Sequence, residues 1–105
     1  MKYITFKIGD KRLGISYSGD WVLEPTLINK SFTKEDGSEY INFKREEIGV
    51  VDTSKLLFDE PMKKFDGLLF ITKDGHKKAL KTESFFEDDL EFDVELVLEK
   101  VFSWE

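Results

Sequence analysis

Cysteine is absent from this 105-residue chain. That excludes disulfides and thiolate-bound metals, and it fits a reduced, cytoplasmic setting. Histidine occurs once, at position 76, and catalysis by it would need an orienting acid and a nucleophile nearby. No Ser lies in a nucleophile elbow. Long apolar runs are also missing. None approaches the roughly 20 residues that span a bilayer, so no membrane insertion is expected. The N-terminus, MKYITFKIGD, alternates where a signal peptide would have a continuous apolar core. Only two prolines and seven glycines occur, and they act as punctuation between short elements. Basic charge is scarce at one end. Residues 82–105 hold nine acidic side chains against Lys100 alone, within a net charge of −6. An acidic chain has no electrostatic footprint for nucleic acid. The acidic excess reads as a solvated face that keeps a small domain soluble.

What is present is alternation. Hydrophobic content of 40% with ten Phe supports a folded globule, and the length fits a single domain over residues 1–105. Ile4, Phe6 and Ile8 alternate with polar residues, as a half-buried strand requires. Gly9-Asp10-Lys11 turns the chain, and Leu13, Ile15 and Tyr17 return as a hairpin. Trp21 to Glu24 forms a third strand that Pro25 stops. Residues 29–39 are polar and rich in turn formers, a loop.

Tyr40–Lys44 is a strand, and Ile48–Val51 a short apolar strand. Asp52 or Thr53 caps a helical turn through Phe58. Leu68–Thr72 and Lys78–Glu83 form a hairpin around Asp74-Gly75. Leu90, Phe92, Val94, Leu96 and Leu98 give the cleanest alternation, a strand, with a helical turn over 99–102. About eight short strands predict a mainly β barrel or sandwich with only short helical turns. The expected buried set is Ile4, Phe6, Ile8, Leu13, Ile15, Ile41, Phe43, Val50, Leu69, Ile71, Phe92, Val94 and Leu96.

Few groups suggest chemistry. His76 follows a turn and reads as exposed at its tip. Asp89, Glu91, Asp93 and Glu95 share one strand face at about 6.5–7 Å spacing, a row that does not converge on one cation. The glycines of GDKRLG and KDGHKK sit in hairpin turns, not phosphate loops. Lys77, Lys78 and Lys81 read as ordinary surface. No catalytic residue, metal or cofactor is expected. A hydrolase using the C-terminal carboxylates would need a convergent constellation, which the pattern lacks.

One stretch is more specific. YINFKREEIGVVDTSKLL, residues 40–57, resembles the central signature of the CheW-like domain family of chemotaxis adaptors. Ile41, Asn42, Phe43, Ile48, Val50, Val51, Asp52 and Leu57 fit that signature in register. Lys44 stands where the family has Arg, Arg45 where it has the turn Gly, Gly49 where it has Pro, and Ser54 where it has a second Arg. YITFKIGDKRLGIS, WVLEP, the hairpin around Gly75 and VELVLEKVF are similar to flanking family segments, in the same order.

The resemblance implies two small five-stranded β-barrels, with one trimmed in this shorter chain. It implies a non-enzymatic adaptor that couples chemoreceptors to a CheA-type histidine kinase. It also implies a partner surface containing Val22, Glu24, Asn42 and Lys44, with Glu24 and Lys44 side by side on neighbouring strands. The alternative is a β-barrel interaction module for another signalling or assembly partner.

Overall fold

The computed structural model describes residues 2–17, 19–62, 64–85 and 91–98. The chain is mainly β, arranged as two open mixed sheets. Strands β1 (Lys2–Ile8) and β2 (Lys11–Tyr17) form the expected antiparallel hairpin. Gly9 takes a positive φ of 62° at its turn, which glycine adopts without a Cβ clash. Strand β3 (Val22–Thr26) follows, then the two-residue β4 (Phe32–Thr33). β5 (Glu39–Phe43) and β6 (Glu46–Val51) form a second hairpin, which leads into helix α1 (Thr53–Phe58). β7 (Gly67–Lys73) and β8 (His76–Thr82) form a third. Two short strands close the described chain, β9 (Ser84–Phe85) and β10 (Val94–Glu95).

The smaller sheet has the order β10-β2-β1-β9, and the larger β3-β7-β8-β6-β5-β4. β6 runs parallel to β8 because α1 and β7 intervene, and β10 runs parallel to β2. A bend at Glu83 passes the chain from β8 in one sheet to β9 in the other. There the Glu83 N–H donates to the Lys7 carbonyl (2.9 Å). Among the described residues neither sheet closes on itself.

The main core lies between the sheets. Ile4, Phe6, Ile8, Leu13 and Ile15 from the hairpin meet Leu69, Ile71, Leu80 and Val51 from the larger sheet. A second cluster covers the larger sheet's other face, where Ile41, Ile48, Leu68, Phe70 and Ala79 pack with Phe65. Strands β7 and β8 are therefore buried on both faces, which explains the unbroken apolar run LLFI in β7. Gly67 is required where β7 begins. A Cβ there would stand 2.5 Å from the Thr26 carbonyl oxygen.

Helix α1 starts as the sequence predicts. The Asp52 side chain accepts the Lys55 N–H (3.1 Å), satisfying one of the amides that a helix start leaves unpaired. The helix ends at Asp59, which takes a left-handed φ of 58° and donates its N–H to the Lys55 carbonyl.

Several expectations need correction. Pro25 does not stop β3. It pairs with Leu69 inside the strand, which is tolerated because β3 is an edge and one side needs no donor. The 29–39 loop contains β4. The alternating 90–98 segment forms a ladder only at Val94–Glu95. Its register is held instead by Leu96 and Leu98 in the core and by the Asp93 and Leu96 N–H groups, which donate to the Arg12 and Gly14 carbonyls. The Phe92 ring fills the space over Gly14 that a side chain would occupy. Phe43, Val50, Phe92 and Val94 are half-buried, and the rest of the expected core is buried. The helical turn expected over 99–102 lies outside the described residues, as do Leu90 and Asp89 of the alternating segment.

Candidate functional site

Val22, Glu24, Asn42 and Lys44 are all exposed. They do not form one patch. Val22 and Glu24 sit on the β3 edge, while Asn42 lies on β5 and Lys44 in the turn after it. Strands β7, β8 and β6 stand between β3 and β5, a separation of about 19 Å at ordinary strand spacing. The expected Glu24–Lys44 neighbour pair is therefore not formed. Lys44 instead holds its ammonium 5.2 Å from the centre of the Phe43 ring. His76 is exposed at the start of β8, beside the Asp74-Gly75 turn, as expected.

Described residues line an open groove of about 780 Å³. It runs between the β5–β6 hairpin and the chain around α1, with Tyr40, Gly49, Val50, Lys55, Pro61 and Lys78 among its lining. Tyr40 pairs across the hairpin with Gly49, whose missing side chain leaves room beside the ring. Phe32 stacks on the outer side of Tyr40 at 6.2 Å, and the Lys34 ammonium sits 4.1 Å from its ring centre. Lys34 also pairs with Glu47, which raises its pKa. This combination of an aromatic ring, a bare backbone and flanking cations suits contact with another chain.

Two carboxylates line the groove, Glu39 and Asp52, and both turn toward Lys81 beneath it. Lys81 is only 3% exposed, so the surface patch expected for Lys77, Lys78 and Lys81 loses its third member. Its ammonium donates to Glu39 Oε1 (2.7 Å) and to the Met62 carbonyl (2.9 Å), and lies 3.8 Å from Asp52 Oδ2. The Phe65 ring covers it at 5.4 Å. Glu39 takes a second bond from the Ser31 hydroxyl (2.7 Å), and Asp52 one from the Met62 N–H (2.8 Å).

A buried ammonium needs such a shell, because an unpaired charge removed from water is strongly penalised. The cluster ties β8, β5, the start of α1 and the 61–62 loop into one floor for the groove. The sequence gives one local signal of it. Lys81 shares a strand face with Ala79, two residues before, which packs into the core.

The acidic row also has a structural use. The Asp93 carboxylate accepts the Arg12 N–H (3.0 Å), Glu95 accepts the Ser16 hydroxyl (3.2 Å), and Glu91 approaches the Arg12 guanidinium at 4.0 Å. These acids dock the 91–98 segment on the β2 edge. Among the described residues, no three His, Asp or Glu side chains gather as a metal site requires. No protein-family model, curated protein or solved structure matches the chain.

Proposed function

We propose that this chain is a non-enzymatic adaptor of the CheW-like kind, coupling chemoreceptors to a CheA-type histidine kinase in the cytoplasm. In this reading the two open sheets are diverged counterparts of the two small barrels, one of them trimmed. The supporting observation is the stretch from Tyr40 to Leu57. The residues that carry the resemblance lie on a tight hairpin, β5–β6, that runs directly into a helix capped by Asp52. Protein–protein contact of this kind needs an apolar centre with a polar rim. The Tyr40 groove, flanked by lysines, has that character.

Co-purification with the regulatory domain of a CheA-type kinase and with a receptor tip from the same cell tests the reading. Retention of both is expected. Glu24→Ala and Lys44→Ala are expected to weaken capture severalfold while changing unfolding by less than about 1 kcal/mol. Failure to retain either partner overturns it. A second reading, an interaction module for another signalling or assembly partner, is favoured by the wide separation of Val22 and Glu24 from Asn42 and Lys44.

A further inference from the structure

The strand register gathers basic residues at one end of the larger sheet. β6 and β8 are parallel with Gly49 opposite Lys78, so the β5–β6 and β7–β8 turns reach the same end. β3 begins there as well, because Val22 pairs with Thr72. The resulting rim presents Lys44 and Arg45 from one turn, with Lys73 and Lys77 flanking the other. Asp74 lies between them, and Val22 is 59% exposed beside them. Lys77 is held by Glu46 at 2.9 Å, and Lys73 lies 4.6 Å over the Trp21 ring. No described acid pairs with Lys44 or Arg45. With Asp20 just before Trp21, four cations thus meet three carboxylates on a molecule whose net charge is −6.

A second observation singles out the same rim. Lys44 and Arg45 both have positive φ, 51° and 65°. A two-residue hairpin turn with positive φ at both positions favours Asn-Gly or Asp-Gly, and side chains with a Cβ are disfavoured in the left-handed region. Folding alone therefore selects against Arg45. Its guanidinium is exposed and forms no ion pair among the described residues. Strain kept at an exposed position is a mark of functional sites.

We propose that this rim docks an extended acidic segment of a partner protein, with Arg45 as its principal anchor and Val22, about 19 Å away across the rim, supplying an apolar contact to the segment's other end. Arg suits carboxylates because its planar fork donates two parallel hydrogen bonds. A short acidic peptide meets the rim locally, whereas an extended polyanion would also feel the surrounding negative field. The inference does not depend on which partner the adaptor reading implies.

The test uses the full chain and a short fluorescein-labelled peptide of alternating Glu and Leu, read by anisotropy. The expected result is binding that weakens as salt rises and falls about threefold to fivefold in Arg45→Gly, with no loss of thermal stability in that variant. Lys64→Ala, exposed three residues before β7 begins at the opposite end of the larger sheet, is expected to leave affinity unchanged. Three results overturn the proposal: no binding by the native chain, an equal loss in both variants, or no loss in Arg45→Gly. Tighter binding of oligo(dT) or of phosphatidylserine vesicles than of the peptide also overturns it.

Discussion

The β5–β6 and β7–β8 hairpins reach the same end of the larger sheet and reverse there by the same backbone route through different residues. In the β7–β8 turn the two positive φ values, 52° and 80°, belong to Asp74 and Gly75, residues that suit the left-handed region. In the β5–β6 turn they belong to Lys44 and Arg45. The strands differ as well. Gly67 to Ile71 of β7 and Ala79 to Thr82 of β8 are buried, with His76 and Lys77 exposed near the tip, whereas β5 and β6 carry the exposed Asn42, Glu46 and Glu47. The β7–β8 turn is made of residues that suit its backbone. The β5–β6 hairpin accepts backbone strain at its tip and keeps its outer residues in water, where a partner can reach them.

The largest expected effect lies in the buried hairpin. Leu69→Ala, at a fully buried position, is expected to destabilise by about 3–5 kcal/mol. Phe43→Ala in the half-buried β5 is expected to cost less, despite removing a larger side chain that packs edge-on against Phe70. Urea unfolding of both variants checks the ranking, and equal losses would erase the contrast.

Next in size is Lys81→Ala. Removing the ammonium leaves Glu39 and Asp52 facing each other without a counter-charge. Both retain some solvent contact, so the loss should fall near the low end for a broken buried pair, about 3 kcal/mol. The same urea measurement reads it. A loss below 1 kcal/mol would mean that the cluster does not tie the two hairpins together.

Gly75→Ala should cost about 1 kcal/mol, because its positive φ of 80° becomes strained once a Cβ is present. Thermal unfolding checks this, and an unchanged melting temperature would remove the distinction between the turns. The smallest effect concerns Asp36 in the loop before β5. Bonds from the Ser38 hydroxyl and N–H hold its carboxyl below the usual carboxylate pKa. Its contribution to stability is therefore full above the ordinary carboxylate pKa and is lost as pH falls through the lowered folded value. NMR titration of the Asp36 carboxyl is expected to show that depressed midpoint, and Ser38→Ala should move it upward.

The parts of this fold that depend on neighbouring residues could be read from the chain. Ile4, Phe6 and Ile8 alternate in register with Leu13 and Ile15, and Asp74-Gly75 dictates a turn. Asp52 precedes a helix because its carboxylate is short enough to reach the Lys55 N–H. Strand order is different, since it depends on which distant edges meet. Nothing between residues 22 and 44 reveals that β7, β8 and β6 will separate Glu24 from Lys44. Pro25 looked like a stop because its missing N–H matters only when that side of the strand is paired.

The partners of Lys81 were illegible for a related reason. A lysine among Lys77 and Lys78 reads as surface until Glu39, 42 residues earlier, is brought against it. The 91–98 alternation was legible as burial but not as a ladder. Leu96 and Leu98 enter the core, while only Val94–Glu95 pairs with β2.

Urea unfolding of Arg45→Gly beside the unaltered chain tests most directly whether the β5–β6 turn holds strain that folding does not need. Glycine removes the Cβ clash of the left-handed conformation, offset in part by the greater freedom of glycine in the unfolded chain. The expected result is a midpoint shifted to higher urea, a gain of about 0.5–1 kcal/mol, with an unchanged slope. A midpoint shifted to lower urea would contradict the account, because Arg45 would then be contributing to the fold.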